Sequence, residues 1–196
     1  MISITFARTA DLPSVYNLHL QTLGADSAAS ASSKFRAACS DDDVMHLVAH
    51  EEDRVVGSIQ LRRASLDGIG CDATQKISFL GPLVTDSYYQ GMGLGSKLMA
   101  YGLSLLRKEG YIMVFLVGDD VYYSRFGFRS VRPMNIALPE NQDGDRLMFK
   151  MLGRPYVLPM YARLSPYSIS EISPSLSDEG VISSIKEERP WREHVT

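Results

Sequence analysis

Cysteine is nearly missing from this chain: Cys39 and Cys71 are the only two in 196 residues. They stand far apart, with no Cys-x-x-Cys pair and no histidine at metal-ligand spacing. That pattern excludes a disulfide framework and a zinc-type site, and no metal is expected. An excess of charge of one sign is missing too. Twenty Lys and Arg against 23 Asp and Glu leave a net charge of -3, which argues against nucleic acid as the main partner. No apolar run approaches the ~20 residues of a membrane-spanning helix, so no membrane partner is expected. Met1 to Arg8 lacks a basic segment followed by an apolar one, so no secretory leader is expected either. A reduced, cytoplasmic protein is the simplest reading. The Gly-Lys-Ser/Thr of a P-loop is also absent.

What is present is ordinary for a globular domain: 45% hydrophobic and 22% charged residues. The length suits one domain with some excess. Ile2 to Ala7 alternates as a first strand. Leu12, Val15, Tyr16, Leu20 and Leu23 follow at helical spacing, with Pro13 in the first turn. A short helix is expected around Lys34 to Cys39, and Asp41-Asp42-Asp43 reads as a charged turn. Val44 to His50 and Val55 to Arg62 read as a hairpin, and Lys76 to Val84 as a third strand, interrupted by Gly81-Pro82. Proline cannot donate to a strand ladder, so a bulge or broken pairing is expected there. A long helix follows, with Leu94, Leu98, Tyr101, Leu105 and Leu106 on one side and Gly110 as its stop. Tyr111 to Val117 is apolar enough for a strand covered on both faces. A short helix from Val121 to Phe126 comes next. Val131 to Leu138 and Leu147 to Leu152 read as a last hairpin around Asp143-Gly144. This order gives an α/β (α+β) fold, a mixed sheet with helices on both faces. Residues 1–152 form the expected domain. From Gly153 periodicity fades, and 153–196 reads as a C-terminal appendage whose Tyr156, Tyr161, Tyr167 and Trp191 suit packing over the acceptor side of the site or against a second subunit.

Gln90-Gly91-Met92-Gly93-Leu94-Gly95-Ser96 is the most informative stretch. Three glycines alternate at the mouth of an apolar helix. The first N–H groups of a helix lack internal partners and carry the positive end of its dipole. Glycines there let main chain alone cradle a phosphate. Three readings compete. One is a purely structural turn. A second is a dinucleotide fingerprint, weakened because Ser96 replaces the third glycine and Thr85 to Gln90 separates strand from turn. The third is a resemblance.

Gln90-x-x-Gly93-x-Gly95 resembles the Gln/Arg-x-x-Gly-x-Gly/Ala signature of the GNAT superfamily of N-acetyltransferases. Leu80-Gly81-Pro82-Leu83-Val84 before it, and Gly110-Tyr111 and Tyr122-Tyr123-Ser124-Arg125-Phe126-Gly127-Phe128 after it, follow the order of a bacterial subfamily of predicted acetyltransferases. The likeness covers roughly residues 1–150. It implies a GNAT-like, mostly antiparallel sheet with splayed central strands, and acetyl-CoA as co-substrate. The pyrophosphate would lie on Gly91, Met92, Gly93, Leu94, Gly95 and Ser96, beside Gln90, and the pantetheine arm on the backbone of Leu83 and Val84. Tyr123, four residues before Gly127, stands at the position from which many members protonate the leaving thiolate, with Tyr122 as substitute. A phenol near ~10 can donate to a thiolate whose conjugate acid is near ~8.5. Asp119 follows Gly118 where members often carry a polar residue near CoA, without their Asn.

The base that takes the amine proton is not legible. The expected central strand holds no Glu, Asp or His, and His46, His50, Glu51 and Asp119 are scattered candidates. The resemblance implies direct attack of an amine on the thioester in a ternary complex. The alternative is a non-catalytic acyl-CoA sensor or interaction module, and a homodimer is one candidate assembly.

Overall fold

The computed structural model describes residues 1–24, 31–39, 44–68, 71, 74–132, 134–138, 144–159 and 161–167. In chain order the elements are β1 (Ile2–Phe6), α1 (Leu12–Leu23), α2 (Ala31–Ala37), β2 (Val44–Glu51), β3 (Arg54–Asp67) and β4 (Ile77–Thr85). Then come α3 (Leu94–Lys108), β5 (Met113–Val117), α4 (Asp120–Ser124), β6 (Arg129–Ser130), β7 (Asn135–Ala137), β8 (Leu147–Met151) and β9 (Tyr161–Pro166). One sheet runs β1-β2-β3-β4-β5-β8-β6, with β9 joined to β3 and β7. The β4–β5 and β7–β9 pairs are parallel and the others antiparallel.

Period-two alternation decides which helix each strand meets. On β2, Met45, Leu47 and Ala49 join the core under Leu94, Leu98, Met99 and Leu106 of α3. Val48 faces the other way, to Val15 and Leu18 of α1. On β4, Leu80 belongs to the α3 side, while Phe79 meets Phe35 of α2, the ring centroids 4.5 Å apart. The expected mixed sheet with helices on both faces is therefore what forms.

Three expectations need correction. Of the stripe read on α1, Leu12, Tyr16, Leu20 and Leu23 are exposed; Val15 and Leu18 are the residues that turn inward. Tyr101 on α3 is likewise exposed, and Met99, Gly102 and Leu103 take the core positions. The expected last hairpin does not form. The edges of β8 are taken by β5 and by Arg129–Ser130, so Asn135–Ala137 pairs instead with Tyr161–Arg163. The turn expected at Asp41-Asp42-Asp43 and residue Asp143 lie outside the described residues, as does Trp191.

Part of the stretch after Gly153 is a strand of the sheet. Ala64 to Asp67 of β3 pair with Pro166 to Arg163, and Leu164 is fully buried beside Leu66, Ile77 and Phe79. No helix among the described residues is long and apolar enough to cross a membrane.

Candidate active site

The site begins where two neighbouring strands part. β4 and β5 pair only at Ile77–Met113, Ser78–Val114 and Phe79–Phe115. One residue later β4 bulges. Ile59 pairs with Leu83 and Leu61 with Leu80, so Gln60 alone faces Gly81 and Pro82. Gly81 has φ 131°, a value that β-carbon-bearing residues avoid. The Gly81-Pro82 irregularity read from the sequence is therefore the bulge that turns β4 away from β5. Beyond it, no strand among the described residues pairs with the β5-facing edge of β4.

A cavity of about 620 Å³ fills the gap. Phe79 to Thr85 form one wall, and Val117, Gly118, Asp119, Tyr122 and Tyr123 the other. Leu83 and Val84 are in the first wall. A second hollow of about 420 Å³ adjoins it, sharing Thr85, Gly95 and Tyr122. Gln90, Gly91, Gly93, Leu94, Gly95 and Ser96 line it. The exposed Met92 side chain does not.

The glycines differ in their reasons. Gly91 and Gly93 have φ of 74° and 81°, and a β-carbon on either would meet nothing within 4 Å. Backbone conformation requires glycine there, and the space above is open to a ligand. Gly93 is the N-cap of α3, so its left-handed turn leads directly into the unpaired N–H groups of the helix. Gly95 has a different reason: a β-carbon there would lie 3.0 Å from the Tyr122 hydroxyl. The turn is fixed from behind, where Tyr89 donates to the Glu51 carboxylate and Arg54 pairs with Asp86.

The second wall rests on α4. Asp119 is its N-cap, and its Oδ1 accepts from Tyr122 N at 2.9 Å. Tyr123 packs edge-on against Tyr122 and Phe128, with centroids 4.9 and 6.0 Å away. Burial pushes its phenol up to about 12, so it stays protonated and able to donate across the physiological range. It lines the cavity where the strands diverge.

The scattered base candidates are not brought together. His50 Nε2 lies 3.0 Å from Asp11 Oδ1, and Glu51 accepts from Tyr89. His46 Nε2 is 2.7 Å from Ser58 Oγ. None of the three lines the cavity, and Asp119, which does, is engaged as a helix cap.

Three arginines were missed. The guanidinium of Arg125 lies 4.1 Å from the Tyr122 ring centroid and lines the glycine-turn hollow. Its spacing of three from Tyr122 on a helical segment was the available signal. Arg36 and Arg146 enter the main cavity from α2 and from the short helical turn Gly144–Arg146. Nothing local in the sequence marks them.

The family model described as "Acetyltransferase (GNAT) family" matches residues 12–128. The chain is 32% identical over 124 residues to the uncharacterized N-acetyltransferase YjhQ of Escherichia coli K12, covering 61% of this chain and 67% of that one. It is 34% identical over 80 residues to the uncharacterized N-acetyltransferase YhbS of the same strain, covering 40% of this chain and 44% of that one. Among solved structures, YhbS from Escherichia coli in complex with CoA has a TM-score of 0.69 at 23% identity, covering 85% of this chain and 89% of that one. A Brucella melitensis GNAT family acetyltransferase in complex with acetyl-CoA has a TM-score of 0.62 at 23% identity, over 86% and 97% of the chains.

Proposed function

Because the chain belongs to the acetyltransferase (GNAT) family, we propose that it moves an acetyl group from acetyl-CoA to an amine by direct attack, with Tyr123 as the acid. The observation that carries this reading is the parting of β4 and β5 after Phe79, with Tyr123 on one wall and the left-handed glycine turn at the mouth.

The roles follow from chemistry. Backbone N–H groups from Gly91 to Ser96 receive the pyrophosphate, helped by the α3 dipole. Arg125 adds a cation to the same hollow. The pantetheine arm, which carries peptide groups, hydrogen-bonds the free edge of β4 at Leu83 and Val84. The thioester then comes to rest where the strands diverge, beside Tyr123.

The neutral amine attacks the thioester carbonyl carbon, forming the C–N bond and a tetrahedral adduct. Its collapse breaks the C–S bond, and sulfur leaves with the electron pair. Tyr123 donates its proton to that sulfur and regains one that the new ammonium nitrogen loses, so CoA departs as thiol. From a phenol at about 12, transfer to a free thiolate near ~8.5 would be uphill. Donation is therefore coupled to C–S cleavage. No residue is acylated: Cys39 is buried next to Phe35, and neither cysteine lines the cavity.

Titration with CoA, followed by acetyl-CoA-dependent thiol release across a panel of amines, tests the reading. Binding with turnover of at least one amine is the expected result. Binding without turnover assigns the chain to acyl-CoA sensing, and absence of binding removes the reading altogether.

A further inference from the structure

The two hollows form one path, and their linings have an order. Tyr123 lines the first but not the second. Thr85, Gly95 and Tyr122 line both, and Gln90, Ser96 and Arg125 line the second but not the first. With the thioester beside Tyr123 and the pyrophosphate on the glycine turn, the part of the second hollow beyond Tyr122 is left to whatever follows the pyrophosphate. In acetyl-CoA that is an adenosine with a phosphate on its 3′-oxygen.

Tyr122 spans the space between the turn and Arg125. Its hydroxyl oxygen would lie 3.0 Å from a β-carbon built on Gly95. Its ring carries the Arg125 guanidinium, whose carbon is 4.1 Å from the centroid. The same carbon is 5.1 Å from the Phe126 centroid, and the two rings are 5.5 Å apart.

Resting on the acetyltransferase reading, we infer that Arg125 binds the 3′-phosphate of CoA and so selects CoA over thioesters that lack this group.

A guanidinium stacked on aromatic rings uses its faces and keeps its N–H donors, which lie in its plane, for another acceptor. Parallel N–H donors match the oxygens of a phosphate, and such charge-assisted pairs are stronger than neutral ones. The two rings also hold the side chain in place before a ligand arrives, which lowers the ordering cost of binding. The pyrophosphate is served without Arg125, by the main-chain N–H groups of the turn and the α3 dipole. The 3′-phosphate differs in kind. It is a monoester with a second pKa near ~6, so it carries close to two charges at neutral pH and gains most from a cation. Among the described residues no carboxylate pairs with Arg125. Asp119, at the start of the same helix, is engaged as its cap.

The experiment is calorimetry with CoA and with 3′-dephospho-CoA, on the unaltered protein and on Arg125→Gln. It requires no acceptor amine. The unaltered protein should bind CoA ~10-fold or more tightly than dephospho-CoA, the scale of one charge-assisted hydrogen bond. In Arg125→Gln the ratio should fall toward one, because affinity for CoA drops while affinity for dephospho-CoA holds. Arg125 is exposed, and each ratio is taken on one preparation, so it does not depend on the folded fraction. A ratio near one in the unaltered protein overturns the proposal whatever the variant does. An Arg125→Gln protein that keeps the full ratio overturns it too. Equal losses for both ligands also overturn it, and assign Arg125 to the pyrophosphate instead. Failure of the unaltered protein to bind either ligand would remove the acetyltransferase reading beneath it.

Discussion

The Tyr123 ring lies directly over the backbone of Gly118: a β-carbon built on Gly118 would fall 2.1 Å from Tyr123 Cε2. Gly118 ends the wall that begins with β5, and Tyr123 stands on the helix that follows it. The close approach sets how far the phenol reaches into the gap between β4 and β5. Glycine is required there by packing, whereas at Gly93 it is required by backbone conformation.

Gly118→Ala must therefore displace the Tyr123 ring. We expect kcat to fall ~10-fold or more while acetyl-CoA affinity stays within ~3-fold, because the glycine turn is untouched. In a Tyr123→Phe background the same change should cost little more, as expected for residues acting as one unit. Steady-state kinetics on the four proteins of this cycle check it, and additive losses would separate the two residues.

At the glycine turn, strain and charge can be told apart. Gly93→Ala adds a β-carbon that meets nothing within 4 Å, at φ 81°. It should cost ~1 kcal/mol of stability, mostly backbone strain. Gly93→Asp adds a carboxylate facing the pyrophosphate, and CoA affinity should fall by at least ~2 kcal/mol. Calorimetry on both folded variants measures the difference. Equal affinities for CoA would remove the phosphate role from this turn.

Two half-buried histidines predict how stability changes with pH. His19 and His46 are pushed from 6.5 down to about 4 in the folded protein. Between those values the unfolded chain binds more protons than the folded one, so stability rises with pH through this window. It is fully present above about 6.5 and is lost progressively as the pH falls toward about 4. Thermal melts from pH 7.5 to 4.5 should show this fall, and it should be shallower in His19→Gln. An identical slope in the variant would show that His19 is not held neutral.

Much of the frame was legible because its signals are local. The glycine turn, the Tyr122 to Phe128 segment and the Gly81-Pro82 irregularity each carry backbone requirements that need no knowledge of tertiary neighbours. The α1 stripe misled because a surface helix can carry apolar residues on more than one side. Tertiary contact with Val48, Val55 and Val84 selects Val15 and Leu18 as the inward pair. Arg36 and Arg146 were invisible because they reach one cavity from segments 110 residues apart (146 − 36). Pairing of β7 with β9 was hidden because β6, two residues long, already holds the β8 edge.

The segment after Gly153 gives a stability test. Leu164 is fully buried, so Leu164→Ala should destabilise the fold by about 2–5 kcal/mol, the range for a large-to-small core change. Denaturant unfolding measures it. A cost below ~1 kcal/mol would mean that β9 contributes little to the core.

The most direct test of the account is Tyr123→Phe, which removes one hydroxyl from the wall of the cavity and almost no volume. With a responsive amine, kcat should fall by ~10²-fold or more while acetyl-CoA affinity, measured by calorimetry on the same preparation, stays nearly unchanged. A folded Tyr123→Phe protein that binds acetyl-CoA and turns over at the normal rate would contradict the assignment of Tyr123 as the acid.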